Sequence, residues 1–188
     1  MNKLKILLVI LLLSSCSWRS PNAEFYVMNS NGINALSENS LNVAVARVKV
    51  PDMLDRAQMV VYENNTDRVD ILEFHRWVEV LPDILQSTVV NDLQALLPNS
   101  YIKRTYFDSD KAKYNVSIEI NQIKAYRNDK VVLSAWWNIA NKNGNIIKRK
   151  QSSFEAAVHG DSMQDLVNAE SQVIHEMSKE IAQNLLKL

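Results

Sequence analysis

The chain has 188 residues, 47% of them hydrophobic, with 21 Lys+Arg against 21 Asp+Glu and a single Cys. That length suits one domain with a full core, which argues against separate cofactor and substrate lobes, and a formal net charge of zero leaves no basic footprint for nucleic acid. One Cys makes no intrachain disulfide, no Cys/His cluster has zinc-ligand spacing, and with three Gly no phosphate-cradling motif occurs, so no metal or cofactor is implied.

Met1 to Lys5 is short and cationic, and Ile6 to Leu13 is an unbroken run of eight apolar residues. A bilayer span needs roughly 20 such residues, so residues 1–15 read as a signal peptide. The run closes on Leu13-Ser14-Ser15-Cys16, which resembles a bacterial lipobox; Ser15 stands where Gly or Ala is commoner. Cys16 is then the lipidation site, its thiol receiving the diacylglycerol group. Acyl chains hold a protein to a membrane at about 0.8 kcal/mol per buried CH₂. Ser17 follows, where an Asp favours inner-membrane retention in enterobacterial sorting, so the expected location is the periplasmic face of the outer membrane. Residues 16–23 form a lipidated tether and 24–188 a single periplasmic domain.

Within that domain, residues 25–27 read as a short strand and the Asn/Ser-rich stretch 29–40 as a connection. Residues 41–50 alternate as a strand whose phase slips near Arg47. A turn at 51–56 precedes two strands, 58–63 and 69–74, joined as a hairpin through Asn64-Asn65. Leu81, Ile84, Leu85, Val89, Leu93, Leu96 and Leu97 recur at helical spacing, with Pro82 in the first turn and Pro98 as a stop. Strands follow at 101–107, 114–125, 131–140 and 146–158, the last three as an antiparallel meander with turns at Asn128-Asp129 and 142–145. Ser162-Met163-Gln164-Asp165 resembles a capping box, and Met163, Leu166, Val167, Ile174, Met177, Ile181 and Leu185 form one apolar stripe. The expected fold class is α+β: a two-layer sandwich in which a mostly antiparallel sheet packs against two long helices.

Few residues suggest chemistry. His159-Gly160-Asp161-Ser162 contains triad residue types, but adjacent residues do not point at one another in relay order, and Asp161 or Ser162 fits a helix N-cap. His175 sits at the edge of the last helix's stripe. His75, in Glu73-Phe74-His75-Arg76-Trp77, lines a small pocket, packs within a loop or belongs to a partner surface, and Trp77 lies either under the following helix or at a contact. Consecutive Trp136 and Trp137 must face opposite sides of a strand. With Trp137 in the core, Trp136 on the outer face is either covered by the chain's own loops or an anchor for another protein. Residues 141–150, with Lys142, Lys148, Arg149 and Lys150, read as a solvated hairpin tip or as a surface for acidic partners or lipid head groups.

The lipobox, the strand at Phe25-Tyr26-Val27, the run Val48-Lys49-Val50-Pro51-Asp52-Met53-Leu54-Asp55-Arg56, then Val60-Val61-Tyr62 and Trp77, together resemble the ABC-type transport auxiliary lipoprotein family, with Met53 where an aromatic is usual. The resemblance runs from Cys16 to near Leu188. It implies a non-enzymatic, outer-membrane-anchored subunit that accompanies an MCE-domain periplasmic tunnel protein moving lipids or other hydrophobic molecules. A self-associated ring is compatible with such a partner. Trp136, Trp77 and His75 are the candidate interface residues. The alternative is a stand-alone lipoprotein that binds a small hydrophobic ligand.

Overall fold

The computed structural model describes residues 21–30, 32–64, 66, 68–105 and 112–188. The signal-peptide run 1–15, Cys16 and the first part of the tether lie outside them. The order is β1 (Glu24–Tyr26), β2 (Asn42–Ala46), β3 (Gln58–Tyr62), β4 (Val69–Trp77), α1 (Leu81–Leu96), β5 (Tyr101–Thr105), β6 (Tyr114–Ala125), β7 (Lys130–Asn141), β8 (Ile146–Ala157) and α2 (Met163–Leu185).

The fold is α+β, as the two helical periods and the alternating strands require. The sheet differs from expectation in two ways. It is two sheets, β1-β4-β3 and β5-β2-β6-β7-β8, and both are mixed rather than mostly antiparallel. β1 runs parallel to β4, and β2 runs parallel to both β5 and β6. The cause is connectivity: the chain leaves β2, passes through the hairpin and α1, and returns in β5 beside β2, a crossover that makes neighbours parallel. The expected meander β6-β7-β8 is antiparallel, as is the β3-β4 hairpin.

The strand expected over 41–50 stops at Ala46, close to the phase slip at Arg47. Lys49 then bridges to β6 separately, donating to the Ile118 carbonyl at 3.0 Å and accepting from Ile120 at 2.8 Å. The following turn is a junction. Leu54 is buried, the Arg56 carbonyl accepts from Leu81 at the start of α1, and the Ala57 carbonyl accepts from Trp77 at 2.7 Å. Arg47 pairs with Asp83 at 2.8 Å and Asp55 at 3.5 Å, stitching β2 to the turn and the first turn of α1.

The core lies between the helices and one face of the five-stranded sheet. Val131, Leu133, Ala135, Trp137 and Ile139 of β7 are fully buried on that face, and each large one contributes roughly 1.5–3 kcal/mol by leaving water. α2 covers β7 and β8 and packs beside α1, which lies over β2 and β5. Among the described residues no helix is long and apolar enough to cross a membrane.

α2 starts at the expected capping box: Ser162 Oγ accepts from Asp165 N at 3.1 Å while the Asp165 carboxylate accepts from Ser162 N at 3.1 Å. Ser162→Ala is expected to lower stability by about 1 kcal/mol, read as a shift in denaturant midpoint without a change in slope.

Candidate functional site

The two tryptophans divide as strand geometry demands. Trp137 is fully buried and its Nε1 donates to Ser152 Oγ and Glu180 Oε2, each at 3.2 Å. Glu180 also accepts from Ser152 and Lys150, so one carboxylate ties α2 to β7 and β8. Burial alone would raise the Glu180 carboxyl, but the hydrogen bonds from Lys150, Ser152 and Trp137 outweigh it and hold the carboxyl below its ordinary range.

Trp136 stands half-buried on the opposite face, with the Arg149 guanidinium 4.7 Å from its ring centroid. Glu119 and Gln151 flank it as ladder partners, and Asn138 Nδ2 donates to Ser117 Oγ at 3.4 Å in the next row. Next to Trp136 this outer face is polar, with Ser134 and Asn138 as its neighbours along β7 and Val132 and Ala140 beyond them. Arg149 stacked on it restricts the ring in advance, which lowers the ordering cost of a contact there. An open cleft of about 500 Å³ continues the face past Val132, lined by Thr66, Gln122, Lys124, Tyr126, Asp129 and Lys130.

The other two candidates lie elsewhere. Trp77 is 2% exposed and belongs to the core cluster, which removes it from the interface set in favour of burial. Its backbone is tied to Ala57, donating to that carbonyl at the end of β4. His75 is partly exposed on β4. Its Nδ1 lies 3.0 Å from the Tyr26 hydroxyl, which donates to Glu24 at 2.5 Å. Burial, together with the hydrogen bond and charge of Glu24, pushes the Tyr26 hydroxyl up to about 12. This cluster lies on the short sheet, apart from Trp136, so the structure does not bring the three candidates together.

His159 is exposed in the loop before α2, while Ser162 and Asp165 are engaged with each other as the cap. No relay is assembled there. His175 sits at the stripe edge as expected, its Nδ1 3.9 Å from Asp92 Oδ2 on α1. Asp92 is fully buried and its carboxyl is raised by burial, softened by the nearby hydroxyls of Ser30 and Ser178 and by His175. Ser178 donates to the Ile174 carbonyl, and among the described residues neither Asp92 oxygen completes a hydrogen bond. Among the described residues no three His, Cys, Asp or Glu side chains gather to hold a metal.

Two features were missed in the sequence. The Arg149 stack on Trp136 joins neighbouring strands, and only the β7-β8 register reveals it. Glu170 lies at a stripe position between Val167 and Val173, where its helical spacing was a visible signal of burial. It is 5% exposed, has no partner for Oε2 among the described residues, and is pushed by burial up to about 8.

For Glu170 the folded protein holds a proton that the unfolded chain releases above its ordinary value of 4.5. Its contribution to stability is therefore fully present below that value and is lost as pH rises through about 8. Between those limits the cost is on the order of 1 kcal/mol per pH unit. Glu170→Gln is expected to be more stable than the parent at pH 8, with the difference vanishing towards pH 4.5; parallel denaturant titrations across this range measure it.

Comparison with known proteins adds three findings. The family model for the ABC-type transport auxiliary lipoprotein component matches residues 29–182. No curated protein matches. Among solved structures, one titled only as an uncharacterized protein superposes with a TM-score of 0.71 at 20% identity, covering 88% of this chain and 99% of its own. A protein from Xanthomonas campestris superposes with a TM-score of 0.68 at 10% identity, covering 85% of this chain and 92% of its own. At such identities both share the fold.

Proposed function

This chain belongs to the ABC-type transport auxiliary lipoprotein family, and we propose that it is the outer-membrane-anchored, non-enzymatic subunit of an MCE-type, Pqi-like, intermembrane transport complex. Cys16 carries the acyl anchor. The outer face of the five-stranded sheet, with Trp136 at its centre, docks the end of the periplasmic tunnel, so that lipid or another hydrophobic molecule passes between tunnel and membrane.

The observation that carries this reading is the Trp136–Arg149 stack on a polar sheet face that the helices leave open. A flat, restrained aromatic ringed by polar groups is the composition of an interface anchor. His75, with Tyr26 and Glu24 beside it, is a second contact on the short sheet. The competing ligand-binding reading has less support. The cleft beside Val132 is lined mainly by polar and charged side chains, whereas a site for a hydrophobic molecule is mostly apolar.

In-cell crosslinking of the tagged full chain, then solubilisation and mass spectrometry, is expected to capture an MCE-domain protein. Cys16→Ala is expected to remove the acyl mass and weaken capture. Trp136→Ala is expected to reduce capture about tenfold or more while thermal unfolding stays cooperative. Outer-membrane delivery without an MCE partner would reject the docking role and favour the ligand-binding alternative.

A further inference from the structure

The β7-β8 hairpin end has a composition that sheet packing does not explain. From Asn141 to Phe154 the chain has four cations, Lys142, Lys148, Arg149 and Lys150, and no acid. Lys150 is engaged with Glu180 and Arg149 with the Trp136 ring, whereas Lys142 and Lys148 are exposed and in no ion pair among the described residues. Lys113, also exposed, precedes Tyr114, the ladder partner of Asn141, and so joins the same end. Between these cations Ile146 and Ile147 are 58% and 42% exposed. They sit at a bulge, where Ala140 pairs with Ile146 and Ile139 with Lys148, leaving Ile147 outside the ladder.

The tip is also polar-satisfied from within. Asn141 N donates to the Asn145 carbonyl and Gly144 N to the Asn141 carbonyl, each at 2.9 Å. Asn141 Oδ1 accepts from Asn143 N at 2.9 Å and Asn145 N at 3.1 Å. Gly144 holds φ near 80°, the left-handed value that closes this turn, with open space around it. These four backbone amides therefore need neither water nor a partner strand, which suits a tip that enters a layer of low polarity.

We propose that this hairpin end is a second membrane contact: Ile146 and Ile147 enter the interfacial layer of an anionic phospholipid leaflet while Lys113, Lys142 and Lys148 meet its head groups. Cations close to an anionic surface are attracted within a Debye length, and lysine stems lie along apolar surface with their charges at the head-group level. The inference rests on the Cys16 anchor proposed above. The stretch from Cys16 to Glu24 extends to roughly 28 Å at most, which keeps the domain beside the leaflet. The domain is then held at two points, which limits the directions in which the Trp136 face is presented.

The experiment exploits the single cysteine. In the acylated full chain, Ile146→Cys supplies the one free thiol for an NBD probe, and Asp161→Cys, exposed in the loop before α2, supplies the control. Both are reconstituted in phosphatidylcholine vesicles with and without phosphatidylglycerol. A blue shift and a several-fold rise in emission at 146, absent at 161, dependent on phosphatidylglycerol and lost in high salt or with Lys148→Glu, are expected. Emission at 146 that stays water-like while the protein floats with the vesicles overturns the proposal, as does an equal response in neutral vesicles. A response to soluble polyglutamate matching that on vesicles assigns the tip to acidic protein and also overturns it. Failure of the anchor is a separate result: the chain carrying only Cys16 takes up label and does not float.

Discussion

Two adjacent residues on one strand cannot share a face, and Trp136-Trp137 turns that constraint into the division of the whole domain. Trp137 enters the helix–sheet core and donates to Glu180, so its burial also fixes where α2 lies across β7 and β8. Trp136 is thereby sent to the face that neither α1 nor α2 covers, where Arg149 stacks on it. Core and candidate interface are consequences of the same backbone, and a slip of one residue in β7 would exchange them.

The second helix is held unevenly. Near its C-terminal half, the Glu180 carboxylate is satisfied by Lys150, Ser152 and Trp137. Further towards its start, Glu170 is buried without a partner for Oε2, and His175 faces an Asp92 that completes no hydrogen bond. Buried polar groups left unpaired cost stability that a fully satisfied cluster does not. These unpaired groups lie in the first half and the middle of α2, where it packs beside α1. The connection after β1 crosses there, with Asn29 N donating to Ser171 Oγ at 3.3 Å.

The residues that carry the family resemblance most visibly, Val48 to Arg56 with Trp77, prove to be architectural. They form the junction at which the chain leaves β2, bridges β6, and sets the starts of β3 and α1 through the carbonyls of Arg56 and Ala57. Asp55 and Asp83 grip Arg47 across that junction. Those residues thus tie the fold together, whereas the proposed partner surface around Trp136 and Arg149 lies outside that run.

The amino-acid sequence by itself determined what short-range periodicity encodes: the face each side chain takes on β7, both long helices, the capping box at Ser162, the closing meander and the outward place of Trp136. Cys16 and the signal-like leader are likewise legible only as sequence, because they lie outside the described residues. Tertiary structure alone decided which strands are neighbours. Periodicity states which face a residue occupies but not what lies beside it, so the parallel pairing of β2 with β5 and β6 and the split into two sheets were invisible. The same limit hid the Arg149 stack and the approach of His175 to Asp92, since each joins residues on different elements. Trp77 shows the point most simply: an aromatic beside a helix start is equally legible as anchor or core, and its burial in the core cluster settles it as core.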